Sequence, residues 1–507
     1  MNRFCAIVLL AAGGTAIAQP PASQPAGPSL TIYSTADPAR FDRRRLRFTE
    51  GRSTGVAPGY AMVREVRRIE LASGVNTVKI SDIPADIDPT TVALRSLSAP
   101  DTTAVLEQSF ESGPPDPFGL LARYIGREVL INRKPIGDAR LGESKEGVLL
   151  AYDRDHLVLK TRNAQMPLEI IARNSDLAEI KLFSLPDGLA NAPALTWKVQ
   201  AQLAGPHDAQ LTYETNGLTW CADYAMTLNK GESSVDLSAW ASILNLCGVP
   251  FANARVKLVA GDVGRLVREP SDRDYGVALS IREAEPGSRM FSEYYVFSLE
   301  GATTLRHGAF KQVELMAPRR GIPVSKSYVY CGAVGVRRYL RPEAPYDDAD
   351  PRSPNRRIDV LIAVQNTRKA GLGVPLPTGR VRVYKADADD DAPLLIGEDV
   401  IAHTPVDGSL TLRTGSAFDL AGDRKVTDFK LDTAARAITE SVQITLRNHK
   451  KEAVKIAVRE PLYRAAQWQI TAKSDEFEKL DARTVGFTVD VPAREERKVT
   501  YTAKYSW

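Results

Sequence analysis

The sequence predicts a mainly β, multi-domain protein: β-sandwich lobes, a small SH3-like barrel and little helix. Three observations lead there. Apolar and polar residues alternate with a period of two in run after run, which places one face of each strand inward. The runs are short and punctuated by Gly, Pro, Asn, Asp and Ser clusters of the kind that make turns. A strand–Asn–turn–strand unit recurs at Leu244-Asn245, Gln365-Asn366 and Arg447-Asn448.

Tyr213 to Gly261 carries the pattern most fully. Leu218, Trp220, Ala222, Tyr224, Met226 and Leu228 alternate with Thr219, Cys221, Asp223, Ala225 and Thr227. Asn229 to Ser233 supplies a turn, and Val235, Leu237, Ala239, Ala241 and Ile243 resume the alternation. A loop of Asn229–Ser233 sets Leu228 opposite Ser234 and Cys221 opposite Ala241. Cys247 then lies roughly 20 Å along the strand from the partner of Cys221, at 3.4 Å per residue. A disulfide needs Cα atoms within about 7 Å, so Cys221–Cys247 is disfavoured. Pairing with Cys331 is left open.

The chain begins with Met1-Asn2-Arg3, an apolar run from Phe4 to Ala18, and the small-x-small triplet Ala16-Ile17-Ala18. This is the pattern of a secretory signal peptide cleaved after Ala18. The run falls short of the ~20 apolar residues a membrane span needs, and no later segment reaches that length. The expected location is periplasmic or secreted. A formal charge of +4 on 507 residues gives no reason to expect nucleic acid as a partner.

In order, the expected organisation is a signal peptide at 1–18 and a Pro/Ala/Ser-rich linker at 19–29. An N-terminal β module follows at 30–112, with a hairpin at Val63–Leu71 and Asn76–Ser81 around Ser73-Gly74. Five short strands at 118–185 fit a small SH3-like barrel. A central sandwich at 193–340 and a C-terminal sandwich at 358–507 complete the chain. Asn suits the end of each recurring unit because its side chain bonds nearby backbone and it tolerates the left-handed conformation.

Several motifs carry a resemblance. They are Y-x-T-x-G-L-x-W-x-A-x-Y at Tyr213–Tyr224, N-x-x-G at Asn245–Gly248 and L-x-A-G at Leu258–Gly261. G-L-G-V-P-L-P-T-G-R-V-R-V-Y at Gly371–Tyr384 and L-R-N-x-K at Leu446–Lys450 agree with them. Together they resemble the C-terminal domain of the bacterial mucoidy-inhibitor-A-like proteins, a domain of unknown function, over roughly Pro193 to Trp507. R-x-x-x-L-x-x-G-x-N-x-V at Arg67–Val78 adds an N-terminal echo. The signature residues are Tyr213, Trp220, Tyr224, Asn245, Gly248, Gly261, Asn366 and Asn448. The resemblance implies an envelope protein and supplies no catalytic residues. Those proteins carry a coiled-coil insert where this chain has the five short strands at 118–185 expected to form the small barrel.

No motif for chemistry stands out. His156, His207, His307, His403 and His449 lack H-E-x-x-H and H-x-H spacing, and no G-x-S-x-G elbow occurs. Gly371-Leu372-Gly373 runs into Pro375 and Pro377 rather than opening a helix, so it reads as a turn and not a phosphate loop. The acidic run Asp387–Asp391 lacks the turn glycine and distal Glu of a calcium loop. No cofactor and no metal are expected. Two candidates for contact remain. Arg43, Arg44 and Arg45 lie in the densest basic patch, and Trp240 lies among Ser238 and Ser242 on the polar-reading face of its strand. The reading favoured is a non-catalytic envelope protein that binds a protein or polysaccharide partner. An envelope hydrolase built on the loops Arg265–Arg289 and Arg341–Arg357, and self-assembly through an exposed edge strand, stay open as alternatives.

Overall fold

A computed structural model describes residues 27–34, 38, 41, 59–111, 117–134, 143–153, 155–173, 177–183, 192–261, 288–291, 294–334, 353–387 and 392–507. The segment 1–18 expected to be a signal peptide, Arg43–Arg45, residues 262–287 and 341–352, and Asp389–Asp391 lie outside them. Among the described residues nearly all regular structure is strand, with one short helix at Pro117–Ala122.

The described residues form an eight-stranded sheet, a thirteen-stranded sheet, and sheets of five, three and two strands. One apolar core joins the eight-, three- and thirteen-stranded sheets, running from Leu30 and Ile32 through Trp197, Tyr213 and Trp220 to Leu412. A second core, around Tyr330, Ile444, Phe487 and Tyr501, fills the C-terminal lobe. A third, small core of Leu121, Tyr124, Ile131 and Leu159 lies in the five-stranded sheet and its helix.

Two strands are long enough to serve both large cores. Phe310–Tyr330 spans 21 residues and Ser409–Asp432 spans 24. Ile322 and Leu412 sit in the first core, Tyr330 and Leu420 in the second. Pro318 and Pro323 lie within the first of these strands, whose pairing with Ser234–Asn245 shifts register three times. Prolines are tolerated in a sheet at such irregularities because the ladder is already broken there.

Sheets cross the segment boundaries drawn from the sequence. Tyr60–Leu71 pairs along its whole length with Gly205–Asn216, and Gly74–Ile80 pairs with Ala194–Ala201. The hairpin expected around Ser73-Gly74 therefore does not form: its two arms enter different sheets. Gly74 takes φ 106°, and Asn76 fixes the corner, accepting from Ala72 N at 2.8 Å and donating to Ala72 O at 2.7 Å.

The five strands expected of a barrel are present, in the order Leu177–Leu182, Glu128–Arg133, Ser144–Tyr152, His156–Lys160, Leu168–Ala172. The two outer strands do not pair among the described residues, so this is an open sheet and not a closed barrel. Its core is small, and Leu168 and Ile170 on the outer strand stay 59% and 71% exposed.

The central hairpin corrects the expected register by one residue. Leu228 stands opposite Val235 and Cys221 opposite Ser242. The connection takes one residue more, with Asn229 N donating to Ser234 O at 3.0 Å. A one-residue slip exchanges the faces of a strand. This register sets Trp220, Ala222 and Tyr224 beside Ile243, Ala241 and Ala239, so apolar faces coincide. Cys221, Cys247 and Cys331 are not in disulfides.

Candidate interaction surface

The central hairpin, Leu218–Leu228 with Ser234–Asn245, is flanked by Gly379–Ala386 on one side and Phe310–Tyr330 on the other. Its apolar face is closed. Trp220 and Tyr224 are buried; Trp220 Nε1 donates to Val259 O at 3.2 Å and the Tyr224 hydroxyl to Pro377 O at 2.8 Å. Complete burial raises the Tyr224 pKa well above the usual phenol value. Gly379 packs against Tyr224 with no room for a side chain: an added Cβ would come within 2.8 Å of the Tyr224 ring and 2.3 Å of Ala222 O.

The opposite face, read from the sequence as polar, is only partly open. Toward Asn245 it is covered: Phe41, Cys221, Leu244 and Leu246 form their own small cluster. Thr219, Asp223 and Ser242 on this face are buried as well. Asp223 is satisfied where it lies. Oδ1 accepts from Arg380 Nη2 at 2.9 Å and Nε at 3.2 Å, and Oδ2 accepts from the Ser242 hydroxyl. Gln312 Nε2 in turn donates to Ser242 Oγ at 3.1 Å. Glu398 extends the lattice to Arg380 at 3.2 Å and Arg382 at 3.6 Å. A buried carboxylate survives because donors replace its water.

Trp240 stands where this cover ends. It is opposite Asp223 on one neighbouring strand and Glu314 on the other. Its side chain is 41% exposed although it lies in the middle of a strand of the thirteen-stranded sheet. A bulge falls beside it: Ala239 pairs Met316 but Trp240 pairs Glu314, leaving Leu315 as the extra residue. Bulges bend a strand locally and re-aim its side chains. The indole N–H has no acceptor among the described residues. The result is an aromatic face in mid-sheet, with the buried Asp223 carboxylate and its guanidinium partners on one side and the exposed Glu314 carboxylate on the other. Such a surface stacks on a flat apolar partner and offers hydrogen bonds around its rim.

The other signature residues are structural. Tyr213 is buried, and burial, then the Glu65 charge, raises its pKa. Burial pushes the Cys247 thiol up to about 12. Gly248 and Gly261 take φ 96° and 130°. Asn245, Asn366 and Asn448 are at most 1% exposed, and each binds both its own turn and a distant segment. Asn245 Nδ2 donates to Val249 O and Leu305 O at 2.9 and 3.0 Å. Asn366 Nδ2 donates to Val374 O at 2.7 Å and Pro405 O at 2.8 Å. Asn448 Nδ2 donates to Glu452 O at 2.8 Å and Pro492 O at 2.9 Å. The side chain does the work expected of it. The left-handed backbone falls to glycines in the first two turns, Gly248, Gly371 and Gly373, because none of the three Asn has positive φ.

Among the described residues no three of His, Cys, Asp and Glu converge as metal ligands would. His207 is buried, with Nδ1 3.2 Å from Ser96 Oγ and Nε2 3.3 Å from Leu203 O. A cleft of about 370 Å³ beside the hairpin is lined by Tyr224, Phe297, Met316 and Pro375, with Glu314 and Arg319 also in its lining. No helix among the described residues is long and apolar enough to cross a membrane. Sequence reasoning missed the Asp223–Arg380 lattice. Its signal was the charge at Asp223 in the middle of a strand with Cys221 and Ala225 on the same face.

No curated protein matches the chain. A family model described as a domain of unknown function, DUF4139, matches residues 209–507. The match begins inside the strand Gly205–Asn216, whose partner Tyr60–Leu71 comes from outside it. The match covers more than half of the sequence, and the chain belongs to this family.

Proposed function

We propose that the chain is a non-catalytic exported envelope protein that binds an envelope protein or polysaccharide through the Trp240 face. The observation that carries this is Trp240 itself. A large aromatic held 41% exposed in mid-sheet, beside buried Asp223 and opposite Glu314, is a surface suited to contact rather than to packing. The leader-like start and the motif resemblance to mucoidy-inhibitor-A-like proteins support the envelope setting. The test is crosslinking of the mature protein in envelope extract, read by mass spectrometry. Wild type is compared with Trp240→Ala and with Arg43/Arg44/Arg45→Ala. One dominant partner lost in Trp240→Ala, with melting unchanged, supports the reading. The same partner retained in Trp240→Ala moves the contact elsewhere, and no partner under several crosslinkers defeats it.

Self-assembly has an observation of its own. Pro393–Ile401 is an outer strand of the thirteen-stranded sheet, with Leu394 and Leu395 52% and 55% exposed. Such edges template pairing with another chain. Sedimentation of wild type and Leu395→Lys decides it: a dimer lost in the variant favours this reading, and a monomer in both removes it.

A further inference from the structure

A second surface lies on the eight-stranded sheet, where Phe251–Ala260, Ser29–Tyr33 and Tyr60–Leu71 run side by side. Arg255 is opposite Ser29, and Ser29 is opposite Arg64, so the three form one rung across three strands. Residues in register point to the same face. Here it is the outer face, since Leu30, Val63 and Val256 alternate with them into the core. At about 4.8 Å per strand, the two arginine Cα atoms stand about 9.6 Å apart with the Ser29 hydroxyl between them. Lys257 lies two residues further on, opposite Ser298. These side chains, with Gly301 and Ala302, line a cleft of about 420 Å³.

Among the described residues no carboxylate lines this cleft. Among the described residues Arg64, Arg255 and Lys257 have no acidic partner, whereas Arg67 on the same strand as Arg64 bonds Glu65 and Asp82. Glu214 stands opposite Met62, outside the cleft lining. Three cations that no described carboxylate compensates, gathered in a concavity, focus a positive field and draw an anion to it. Guanidinium forks match the oxygens of a carboxylate or phosphate. The charge count separates the two: a phosphate monoester carries about −1.5 to −2 at pH 7 and several acceptor oxygens. Two guanidiniums, an ammonium and the Ser29 and Ser298 hydroxyls suit that dianion better than a carboxylate.

We propose that this cleft is a phosphate-monoester site, with Arg64 and Arg255 gripping the phosphoryl oxygens over Ser29 and Lys257 adding the third charge. It is independent of the Trp240 face. The test is calorimetric titration of the full chain at low ionic strength with inorganic phosphate and, separately, acetate. Co-sedimentation with phosphatidylcholine vesicles, with and without phosphatidic acid, runs beside it. Saturable phosphate binding is expected, weakened tenfold or more in Arg64→Gln/Arg255→Gln and unchanged in Trp240→Ala. Acetate is expected to bind at least tenfold more weakly. Vesicle binding displaced by inorganic phosphate assigns the phosphoryl group to a lipid headgroup, and phosphate binding without vesicle binding assigns it to a soluble ester; either supports the site. No saturable phosphate binding, binding unchanged in the double variant while circular dichroism reports a native fold, or acetate equal to phosphate would overturn it.

Discussion

Arg464 and Glu440 form an ion pair sealed inside the C-terminal lobe: Nη2 donates to Oε1 at 3.0 Å, and both side chains are fully buried. The guanidinium also lies 4.6 Å from the Phe429 ring centroid. A second buried pair, Arg424 with Glu460 at 2.6 Å, sits in the same lobe. Burial works against the charge on Arg464, yet Glu440 more than offsets it and its pKa is raised. Breaking such a pair strands one charge without water, which costs about 3–5 kcal/mol, whereas replacing both partners by apolar groups is close to neutral. Glu440→Ala is therefore expected to destabilise the lobe by that amount, and Glu440→Leu with Arg464→Met to recover most of it. Hydrogen exchange of the strand Ala437–Asn448 under native conditions reads the difference. A single variant as stable as wild type would show the pair contributes nothing.

These pairs mark what could be read from the sequence and what could not. Period-two alternation was sufficient for the strands and for burial of Trp220 and Tyr224, because a half-buried strand writes its two faces in order. Glu440 and Glu460 broke that order at apolar positions, Glu440 between Ile438 and Val442 and Glu460 after Val458. That was a legible sign of buried charge. Their partners were not legible, since Arg464 meets Glu440 from a turn beyond the strand Val454–Pro461. Gly74 looked like a hairpin turn but makes a corner between sheets, because pairing partners more than a hundred residues away decide where a strand goes. The exposure of Trp240 followed from its phase. The burial of Asp223 on the same face did not, because the Arg380 and Arg382 side chains beside it come from the strand Gly379–Ala386, more than 150 residues along the chain.

Asn366 and Asn448 close equivalent turns in two different parts of the chain. Asn448 Nδ2 faces the carbonyls of Glu452, Val491 and Pro492, while Oδ1 accepts from Lys450 N at 2.9 Å. Removing the amide leaves buried carbonyls unmet, at about 1–3 kcal/mol each before relaxation. Asn448→Ala is expected to cost about 3 kcal/mol. Asn448→Asp, though isosteric, is expected to cost at least as much at neutral pH, because it turns an oxygen toward three carbonyl oxygens. Urea denaturation of both variants checks the order. If the Asp variant were as stable as wild type, the donor side of the amide would not be what holds the turn.

Glu232, in the turn of the central hairpin at φ 56°, binds two lysines, Lys385 at 2.6 Å and Lys326. Partial burial pushes its pKa up, but the hydrogen bonds and charges of Lys326 and Lys385 outweigh it, and the pKa lies below its ordinary 4.5. The unfolded chain then takes up a proton at higher pH than the folded one. The contribution of Glu232 is thus fully present above the ordinary value and lost as pH falls through the lowered one. All three side chains are about 30% exposed, so solvent screening keeps the effect to about 1 kcal/mol or less. Glu232→Gln is expected to lower the urea midpoint slightly at pH 7, and the gap from wild type is expected to close as pH falls below the ordinary carboxylate value and through the lowered one. Added salt should narrow it at neutral pH as well. A gap that widened in acid would mean the Glu232 pKa is raised in the fold, and that burial, not Lys326 and Lys385, governs the turn.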